Sequence, residues 1–307
     1  MRHLNFEETL RAADSADLLG ALRKAFTGSI STPPRAHYTI SNPDAADGTL
    51  LIMPAWQKSH HIGVKMVTVF PDNPHKNIPT VTGVYLLASA TTGEPVALIN
   101  APALTAVRTA AVSALAADIL APKDAKNFLM IGTGTLSPHM VRAHCKVRNY
   151  ESVTISGRNT SKVRKVVDEL SSGGLPARPC KNLVTAIENA DVISCATTST
   201  DPVILGKYIT PKSHIDLVGS FRPDMREGDD TLMERAGIVM VDTKQALHES
   251  GDLVEPIASG ILKGTDIIEL ESAIRKPPQR TADSPTVFKS VGTALADLAV
   301  AEEIISR

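Results

Sequence analysis

The chain has 307 residues, a length that suits two domains of ordinary size better than one. Hydrophobic residues make up 43% and charged residues 21% of it, as in globular proteins with a buried core. With 32 Lys and Arg against 33 Asp and Glu, and no basic run, the sequence lacks the positive patch that a nucleic-acid-binding protein needs. Its apolar stretches are interrupted by Arg, Asp or Gly short of about 18 residues, so we predict no membrane span.

The N-terminus and the cysteines bear on cellular location. Residues 1–8 lack the basic-then-apolar order of a signal peptide. Cys145, Cys180 and Cys195 are odd in number and far apart, which argues against a disulfide framework. No Cys and His residues have the spacing of a metal site, and we predict none. A reducing, cytoplasmic location is expected.

The first part of the chain, residues 1–121, has the pattern of a mixed α+β domain. Apolar residues at three- and four-residue steps predict one helix over residues 1–30: Leu10, Leu18, Leu19, Leu22 and Phe26. Apolar runs separated by prolines then predict strands at residues 49–53, 64–70 and 82–87, with a hairpin at Thr92-Gly93. An alanine-rich stretch predicts a helix over residues 104–120.

Residues 122–289 have a different texture, in which short apolar runs alternate with amphipathic segments. The runs predict strands at residues 128–131, 153–155, 191–194, 215–218 and 238–241, and the segments predict helices at residues 161–170 and 183–189. This alternation predicts a parallel sheet covered by helices on both faces, the doubly wound α/β class of the Rossmann type. A final helix is predicted over residues 292–305, and the pattern alone does not assign it to either domain.

A glycine turn follows the first of these strands and precedes a helix. Within residues 131–137, Gly132 permits a tight turn and Gly134 lets backbone N–H groups approach a pyrophosphate. Ser137, at the third glycine position of the dinucleotide fingerprint, is small enough for close packing of the helix. A plain strand–helix turn is the alternative, but the repeated strand–helix pattern favours a bound nicotinamide dinucleotide.

The end of the second strand predicts which dinucleotide binds. Proteins that select NAD carry Asp or Glu here to bond the ribose 2′-hydroxyl. This chain has Arg158 instead, next to Ser156, Asn159 and Thr160, and a guanidinium with hydroxyl neighbours suits a 2′-phosphate. We therefore predict NADPH, with NADH less favoured; an exposed loop arginine is the alternative.

Two later strands end in small polar residues. Thr197 follows Cys195, and Val218-Gly219-Ser220 ends the next strand. Because the ligands of parallel sheets bind beyond the carboxyl ends of the strands, these residues are predicted to line the nicotinamide side. Cys195 itself is predicted to be a small buried residue and not a nucleophile.

Three cations in the first domain lie in unusual surroundings. Lys65 interrupts an apolar strand, Arg108 lies among small residues of the alanine-rich helix, and Arg35 follows a pair of prolines. A buried cation requires an anionic partner, and neither the Lys65 nor the Arg108 segment contains an Asp or Glu. A bound carboxylate or a cofactor pyrophosphate is the expected partner, while for Arg35 a surface role is an equal alternative.

Several motifs together resemble the ornithine cyclodeaminase/mu-crystallin family over nearly the whole chain. They lie at residues 63–73, 79–80, 92–95, 104–111, 132–134, 218–220 and 290–292. The resemblance implies a homodimer with a substrate-binding and dimerisation domain at residues 1–121, to which residues 290–307 return. It also implies a Rossmann domain at residues 122–289.

The resemblance also implies site residues. Arg35, Lys65 and Arg108 would hold a substrate carboxylate. Lys65 would either share that charge or, as a catalytic residue with a pKa lowered by its apolar strand, protonate the substrate. The residues predicted at the cofactor, from the glycine turn, the strand ends and the resemblance, are Thr80, Arg108, Thr109, Gly132, Gly134, Thr135, Leu136, Arg158, Asn159, Thr197, Val218, Gly219, Ser220, Ser290 and Gly292.

Residues 217–227 distinguish the activities of the family. Ornithine cyclodeaminases resemble Gly-Gly-Asp here, with the Asp as acid and base, whereas this chain has Phe221, which cannot transfer a proton. The segment is similar instead to bacterial reductases of Δ1-pyrroline-2-carboxylate and Δ1-piperideine-2-carboxylate, and in part to mu-crystallin, itself a ketimine reductase. For Asp224 and Glu227, a functional role and helix capping after Pro223 are equal alternatives.

The expected reaction is therefore the NADPH-dependent reduction of a cyclic imino acid to proline or pipecolate, a step of amino-acid metabolism. Three alternatives stay open. Two are other enzymes of the family, ornithine cyclodeaminase and alanine dehydrogenase. The third is a crystallin-like protein that binds NADPH without turnover.

Overall fold

The computed structural model describes residues 1–43 and 45–307 of the chain. Residues 1–120 form β1 (Arg2–Leu4), α1 (Phe6–Asp14), α2 (Leu18–Thr27), β2 (Ile30–Ser31), β3 (Ala36–Ile40), β4 (Gly48–Gln57), β5 (His61–Val69), β6 (Val81–Ser89), β7 (Pro95–Asn100) and α3 (Ala101–Leu120). Residues 127–289 form β8 (Asn127–Ile131), α4 (Leu136–Val147), β9 (Ser152–Ser156), α5 (Thr160–Ser172), β10 (Ala177–Pro179), α6 (Leu183–Glu188), β11 (Val192–Cys195), β12 (His214–Leu217), α7 (Asp230–Arg235), β13 (Ile238–Val241), α8 (Ala246–Glu249), α9 (Gly251–Ala258), β14 (Ile268–Glu269), α10 (Leu270–Arg275) and β15 (Thr286–Lys289). The last helix is α11 (Ala294–Ile305).

The chain folds as two compact units, each with its own sheet. The first unit comprises residues 1–108 and 293–307, and the second comprises residues 109–292. The chain passes from one unit to the other within α3 and again directly before α11. The boundaries that we predicted, after residue 121 and at residue 290, fall at the end of α3 and shortly before α11.

The start of the chain corrects the prediction of one long helix over residues 1–30. β1 pairs in parallel with β7, and the helical residues are divided between α1 and α2. Asn5 begins α1 in a capping box with Glu8, and Asp17 begins α2 by accepting the N–H of Gly20. The second cap starts a new helix where the apolar spacing alone indicated continuation.

The first unit is built on a seven-stranded mixed sheet with the order β1-β7-β6-β5-β4-β2, in which β3 also pairs with β4. The three predicted strands and the hairpin, where Gly93 has φ of 78°, are confirmed by β4, β5, β6 and the turn before β7. Met53, Lys65, Tyr85 and Ile99 are cross-strand neighbours on one face, and all four are buried. α11 packs over this face. A lysine in an apolar strand is thereby placed beneath a helix.

The second unit contains an eight-stranded sheet in which every pair is parallel, with the order β10-β9-β8-β11-β12-β15-β13-β14. It confirms the predicted α/β class and the Rossmann-type sheet. β11, β12 and β15 are buried along their whole length, as expected of strands covered on both faces. The pattern did not predict β15, because its four residues follow a proline and end in Lys289.

The alanine-rich helix α3 is long and apolar enough to cross a membrane, with a mean hydropathy of 1.5 in spite of Arg108 and Asp118. The share of its most apolar window that is buried inside the protein is 83%. A helix that is apolar on all sides and buried within a protein belongs to its core. α3 is therefore a core helix, and Arg108 is a buried cation on it, only 6% exposed.

Candidate functional site

The strands of the parallel sheet end side by side, and the backbone hydrogen bonds between them continue into the residues that follow each strand. Four backbone hydrogen bonds of 2.9 to 3.0 Å join these residues, donor first: Gly132 to Ser156, Ala196 to Ile131, Val218 to Cys195, and Ser290 to Leu217. The predicted cofactor residues after β9, β8, β11, β12 and β15 therefore follow one another along one edge: Arg158, Gly132, Thr197, Gly219 and Ser290. This is the carboxyl edge, where parallel sheets bind ligands.

The glycine turn has the backbone geometry that its sequence predicted. Gly132 has φ of 119°, and a Cβ on it would lie 2.5 Å from the carbonyl oxygen of Ala196. No described heavy atom lies within 4 Å of a Cβ built on Gly134, so that position opens to space. Thr135 precedes α4 without a side-chain cap, which leaves the N–H of Leu136, the first residue of the helix, available to an anion; the N–H of Ser137 is donated to the carbonyl oxygen of Gly134 at 3.1 Å. Ser137 is buried, as close packing of α4 requires.

Arg158 lies next to this turn in the structure. A Cβ on the preceding residue, Gly157, would lie 2.7 Å from the side chain of Thr133, so the end of β9 packs against the turn. Arg158 is exposed, whereas the side-chain carbonyl of Asn159 is engaged in accepting the N–H of Lys162 at the start of α5. The arrangement leaves the guanidinium of Arg158 accessible beside the predicted pyrophosphate position.

The loops after β11 and β12 pack backbone against backbone. A Cβ on Gly219 would lie 1.9 Å from the carbonyl oxygen of Thr197, a distance that no side chain tolerates. Only glycine fits at this position, since the obstacle is main chain. Val218 and Gly219 are buried, and Thr197 is half-buried.

Ser220 and Ser290 use their hydroxyl groups within the protein. Ser220 Oγ donates to the carbonyl oxygen of Met225 at 2.6 Å. Ser290 Oγ donates to Asp242 Oδ2 at 2.7 Å, and the same oxygen accepts the N–H of Gly292 at 2.7 Å. Both hydroxyl groups thus donate their hydrogens within the protein. If Ser220 and Ser290 contact the cofactor, they do so through other atoms.

The helix-capping alternative for Asp224 and Glu227 is wrong. Residues 221–229, all of them described, contain no helix, and the helix that follows, α7, is capped by Asp229. Asp224 is exposed and forms a two-point salt bridge with Arg222, at 2.9 and 2.8 Å. Glu227 is fully buried and faces the loops after β11 and β12. Burial raises its pKa, which Lys289 opposes.

In the first unit, Lys65 and Arg108 share the carboxylate of Asp297 on α11. Lys65 Nζ lies 2.7 Å from Asp297 Oδ2, and Arg108 Nε donates to Asp297 Oδ1 at 3.0 Å. The expectation that these cations have no internal carboxylate is therefore wrong. Asp297 is 189 residues from Arg108 along the chain, so inspection of the local segments does not reveal it. The available signal was an acidic residue within the apolar sequence of α11.

Lys65, Arg108 and Asp297, together with Arg35, which is near enough to affect Lys65, form a cation cluster. Burial lowers the pKa of Lys65 to about 8; Asp297 opposes that shift, and Arg108 and Arg35 add to it. Burial would raise the pKa of Asp297, but the two paired cations outweigh it and hold the pKa below 3.8. The one carboxylate of Asp297 is thus shared by two buried cations, Lys65 and Arg108. Within the described residues, the two Nη atoms of Arg108 have no protein partner.

Tyr85 contributes a buried hydroxyl beside this cluster. It lies directly opposite Lys65 on the neighbouring strand, and in the described part of the chain its Oη has no hydrogen-bond partner. Burial raises its pKa well above 10, and Asp297 and Glu302 add to the shift. A Cβ on Gly63 would lie 1.8 Å from Tyr85 Oη, so glycine is required there to admit the ring.

The remaining predictions have simpler outcomes. Thr80 lies on the loop between β5 and β6, where its carbonyl oxygen accepts the N–H of Phe70, and Thr109 is buried in α3. Their roles at a cofactor stay predictions. Cys195 is fully buried, as predicted. Over residues 1–43 and 45–307, no group of three or more His, Cys, Asp and Glu is arranged to hold a metal ion.

The fold and this edge define a class: two-unit α/β proteins whose parallel sheet has the Rossmann topology of dinucleotide-binding domains. Within that class the family follows from similarity over the whole chain. The model of the ornithine cyclodeaminase/mu-crystallin family matches residues 3–307. The chain belongs to this family, and the resemblance seen in its motifs is confirmed.

Relatives with known names include reductases and a dehydrogenase. The chain is 34% identical over 315 residues to Delta(1)-pyrroline-2-carboxylate reductase of Colwellia psychrerythraea, covering 100% of this chain and 96% of that one. The structure of the Thermococcus litoralis reductase of that name, in complex with NADH and L-proline, matches with a TM-score of 0.86, 29% identity, and 100% and 97% coverage. An archaeal alanine dehydrogenase dimer with bound NAD matches with a TM-score of 0.89, 26% identity, and 100% and 95% coverage. One fold thus serves both activities, so the fold alone does not choose between them.

Proposed function

We propose that this protein is an NADPH-dependent oxidoreductase that reduces a cyclic ketimine, Δ1-pyrroline-2-carboxylate or Δ1-piperideine-2-carboxylate, to L-proline or L-pipecolate. The observation that carries the proposal is the cation cluster, in which Lys65 and Arg108 are buried and share a single carboxylate. Uncompensated positive charge in a buried place is costly unless an anion binds. The carboxylate of a small imino acid supplies that anion.

The cluster offers separate groups for the carboxylate and for the proton. Arg108 uses Nε for Asp297, so its two Nη atoms remain to form a two-point contact with a substrate carboxylate. Arg35 contributes further positive charge, because it lies near enough to lower the pKa of Lys65. Asp297 orients Lys65 and Arg108, so a bound substrate would meet a rigid, positively charged surface.

Lys65 is suited to hold the proton that the ring nitrogen takes up. NADPH, when bound, supplies a hydride to the ring carbon, and the nitrogen requires one proton to complete the amine. With a pKa of about 8, Lys65 is mostly protonated at neutral pH and yet releases its proton more readily than an ordinary lysine. Its ammonium would serve as the proton donor, while Asp297 stays ionised through its second partner, Arg108.

The choice of cofactor rests on the edge of the second unit. The two solved relatives hold NADH or NAD, which supports a nicotinamide dinucleotide at the corresponding edge. The preference for NADPH rests on Arg158, which is exposed beside the glycine turn where an acidic residue would select NAD. A 2′-phosphate is the natural partner of this guanidinium.

The rival activities are less well supported. Phe221 stands where a cyclodeaminase would carry its acid and base, and its ring is 51% exposed at the carboxyl edge. Alanine dehydrogenase activity has the support of one solved relative, but that relative holds NAD and this chain carries Arg158. A protein that binds NADPH without turnover has no need of the cation cluster.

The decisive test follows NADPH oxidation by absorbance with each cyclic imine. NADH, pyruvate with ammonia, and ornithine provide the controls. Rapid oxidation of NADPH with either imine, together with slower oxidation of NADH, would support the proposal. Oxidation with pyruvate and ammonia alone, ammonia release from ornithine, or dinucleotide binding without any turnover would each replace it with the corresponding rival.

We also propose a cytoplasmic homodimer. The face of the first sheet away from α11 is apolar, and five of its apolar side chains are more than a third exposed: Tyr38, Ile40, Trp56, Met66 and Val84. An exposed apolar face of this kind favours association, and the alanine dehydrogenase relative is a dimer. Three free cysteines, one of them fully buried, suit a reducing compartment.

A further inference from the structure

Glu227 joins the ends of two neighbouring strands through one carboxylate. Its Oε1 accepts the N–H of Thr197 at 2.7 Å and the hydroxyl of the same residue at 3.1 Å. Its Oε2 accepts the N–H of Gly219 at 2.7 Å and that of Ser220 at 3.3 Å. Each oxygen thus serves a different loop, one after β11 and the other after β12. The side chain is 0% exposed, so the carboxylate is fully withdrawn from bulk solvent.

The carboxylate is itself held firmly. Asp252 Oδ1 accepts the backbone N–H groups of Glu227 at 2.7 Å and Gly228 at 3.0 Å. Lys289 Nζ lies 3.0 Å from Asp252 Oδ2 and 3.9 Å from Glu227 Oε2. All three charged side chains are fully buried. A buried group of two carboxylates and one cation is costly to assemble and has few alternative arrangements, so it holds Glu227 in one position.

We propose that Glu227 is a positioning residue that sets the loops after β11 and β12 in the arrangement that receives the nicotinamide half of the cofactor. It acts through Thr197 and Gly219 and does not itself contact the reacting atoms. The inference rests on the proposed function, since these loops are the ones predicted to face the nicotinamide. The two loops meet through the main chain of Gly219 and Thr197, and Glu227 holds this contact by accepting a backbone N–H from each of them.

The chemistry of the clamp distinguishes two substitutions. In Glu227→Gln the side chain keeps its volume but offers one acceptor and one donor group, so its NH2 faces the N–H of Thr197 or of Gly219 whichever way the amide is turned. Glu227→Asp keeps two acceptors but withdraws both by one methylene. Asp224→Asn, in the same segment, makes the same change from carboxylate to amide at an exposed residue and is the matched control.

The test measures the NADPH Kd by fluorescence titration of the purified full-length protein, together with kcat and the imine KM at saturating NADPH. Loss of a charge-assisted hydrogen bond predicts that Glu227→Gln raises the NADPH Kd about tenfold or more. Glu227→Asp should fall between it and the wild type, and Asp224→Asn should match the wild type. The imine KM of Glu227→Gln should change by less than about threefold. General loosening of the fold would instead weaken imine and NADPH binding together.

Every outcome decides the inference. A folded Glu227→Gln protein with the wild-type NADPH Kd overturns it, as does an equal loss of imine and NADPH binding. If Glu227→Gln does not fold, as judged by circular dichroism, Glu227→Asp decides in its place; failure of both variants to fold makes Glu227 a folding residue and also overturns it. NADPH binding by the wild type without turnover of either imine contradicts the proposed substrate, while the Kd comparison still decides the role of Glu227.

Discussion

Lys65 has a pKa of about 8 because its burial disfavours the ammonium more than Asp297 favours it. The protonated fraction of a lysine falls as pH rises through its pKa, so kcat/KM for the ketimine should fall about tenfold per pH unit above about pH 8. Lys65→Arg stays charged over this range and should lose that descending limb, with a lower maximum. The pH profile of kcat/KM for both proteins checks this expectation. A wild-type profile that stays level to about pH 10 would contradict it.

Removal of the charge at the same residue separates substrate chemistry from cofactor binding. Lys65→Met should lower kcat/KM at least about a hundredfold, because proton transfer and carboxylate binding are both weakened. The NADPH Kd should stay within about threefold, since Lys65 lies in the first unit and the glycine turn in the second. Loss of NADPH binding in this variant would mean that Lys65 serves the cofactor and not the substrate.

Arg158 carries the proposed preference for NADPH in one exposed guanidinium. Arg158→Ser should raise the NADPH Kd about 10- to 100-fold, the worth of one charge-assisted contact, and leave the NADH Kd nearly unchanged. Arg164→Ser, at an exposed arginine of α5, is the control and should alter neither. Titration with both dinucleotides measures the effect. Equal weakening of NADH and NADPH would show that Arg158 does not read the 2′-phosphate.

At the scale of the element, the turn between β8 and α4 contains two glycines with different duties. Gly132→Ala should destabilise the protein by about 1–3 kcal/mol, because φ is positive and the methyl group meets the Ala196 carbonyl. Gly134→Ala meets no described atom within 4 Å and should leave Tm unchanged while weakening NADPH binding, because the methyl group occupies the space of the pyrophosphate. Thermal unfolding and NADPH titration of both variants test the distinction. An unchanged NADPH Kd in Gly134→Ala would remove the turn from the cofactor site.

At the scale of the whole molecule, the apolar outer face of the first sheet is expected to form the dimer. Met66 lies opposite Val84 in the middle of that face, and the two side chains are 42% and 36% exposed. Met66→Glu places a charge in the interface and should convert the dimer to a monomer, because burying an unpaired carboxylate is costly. Val184→Glu, at an exposed valine of α6, should leave the dimer intact. Light scattering after size-exclusion chromatography measures both, and a monomeric wild type would contradict the proposal.

Most elements could be predicted from the sequence because their patterns are local. The parallel strands β8, β9, β11, β12 and β13 were each marked by an apolar run, and the hairpin by Thr92-Gly93. The failures have equally local causes. Asp17 ends one helical pattern and starts another without a change in spacing. β15 was not predicted, because Lys289 interrupts the apolar pattern that is typical of a core strand.

The sequence by itself determined the α/β class, the family and the glycine turn, because strand periodicity, turn chemistry and motifs lie within short segments. It also identified Lys65 and Arg108 as cations that need an anion. Only the tertiary structure decided that Asp297 is their shared carboxylate and that Glu227 clamps two loops. Both findings depend on pairs that are far apart along the chain or on different strands. Such pairs are brought together by sheet order and helix packing, and no local pattern records the outcome.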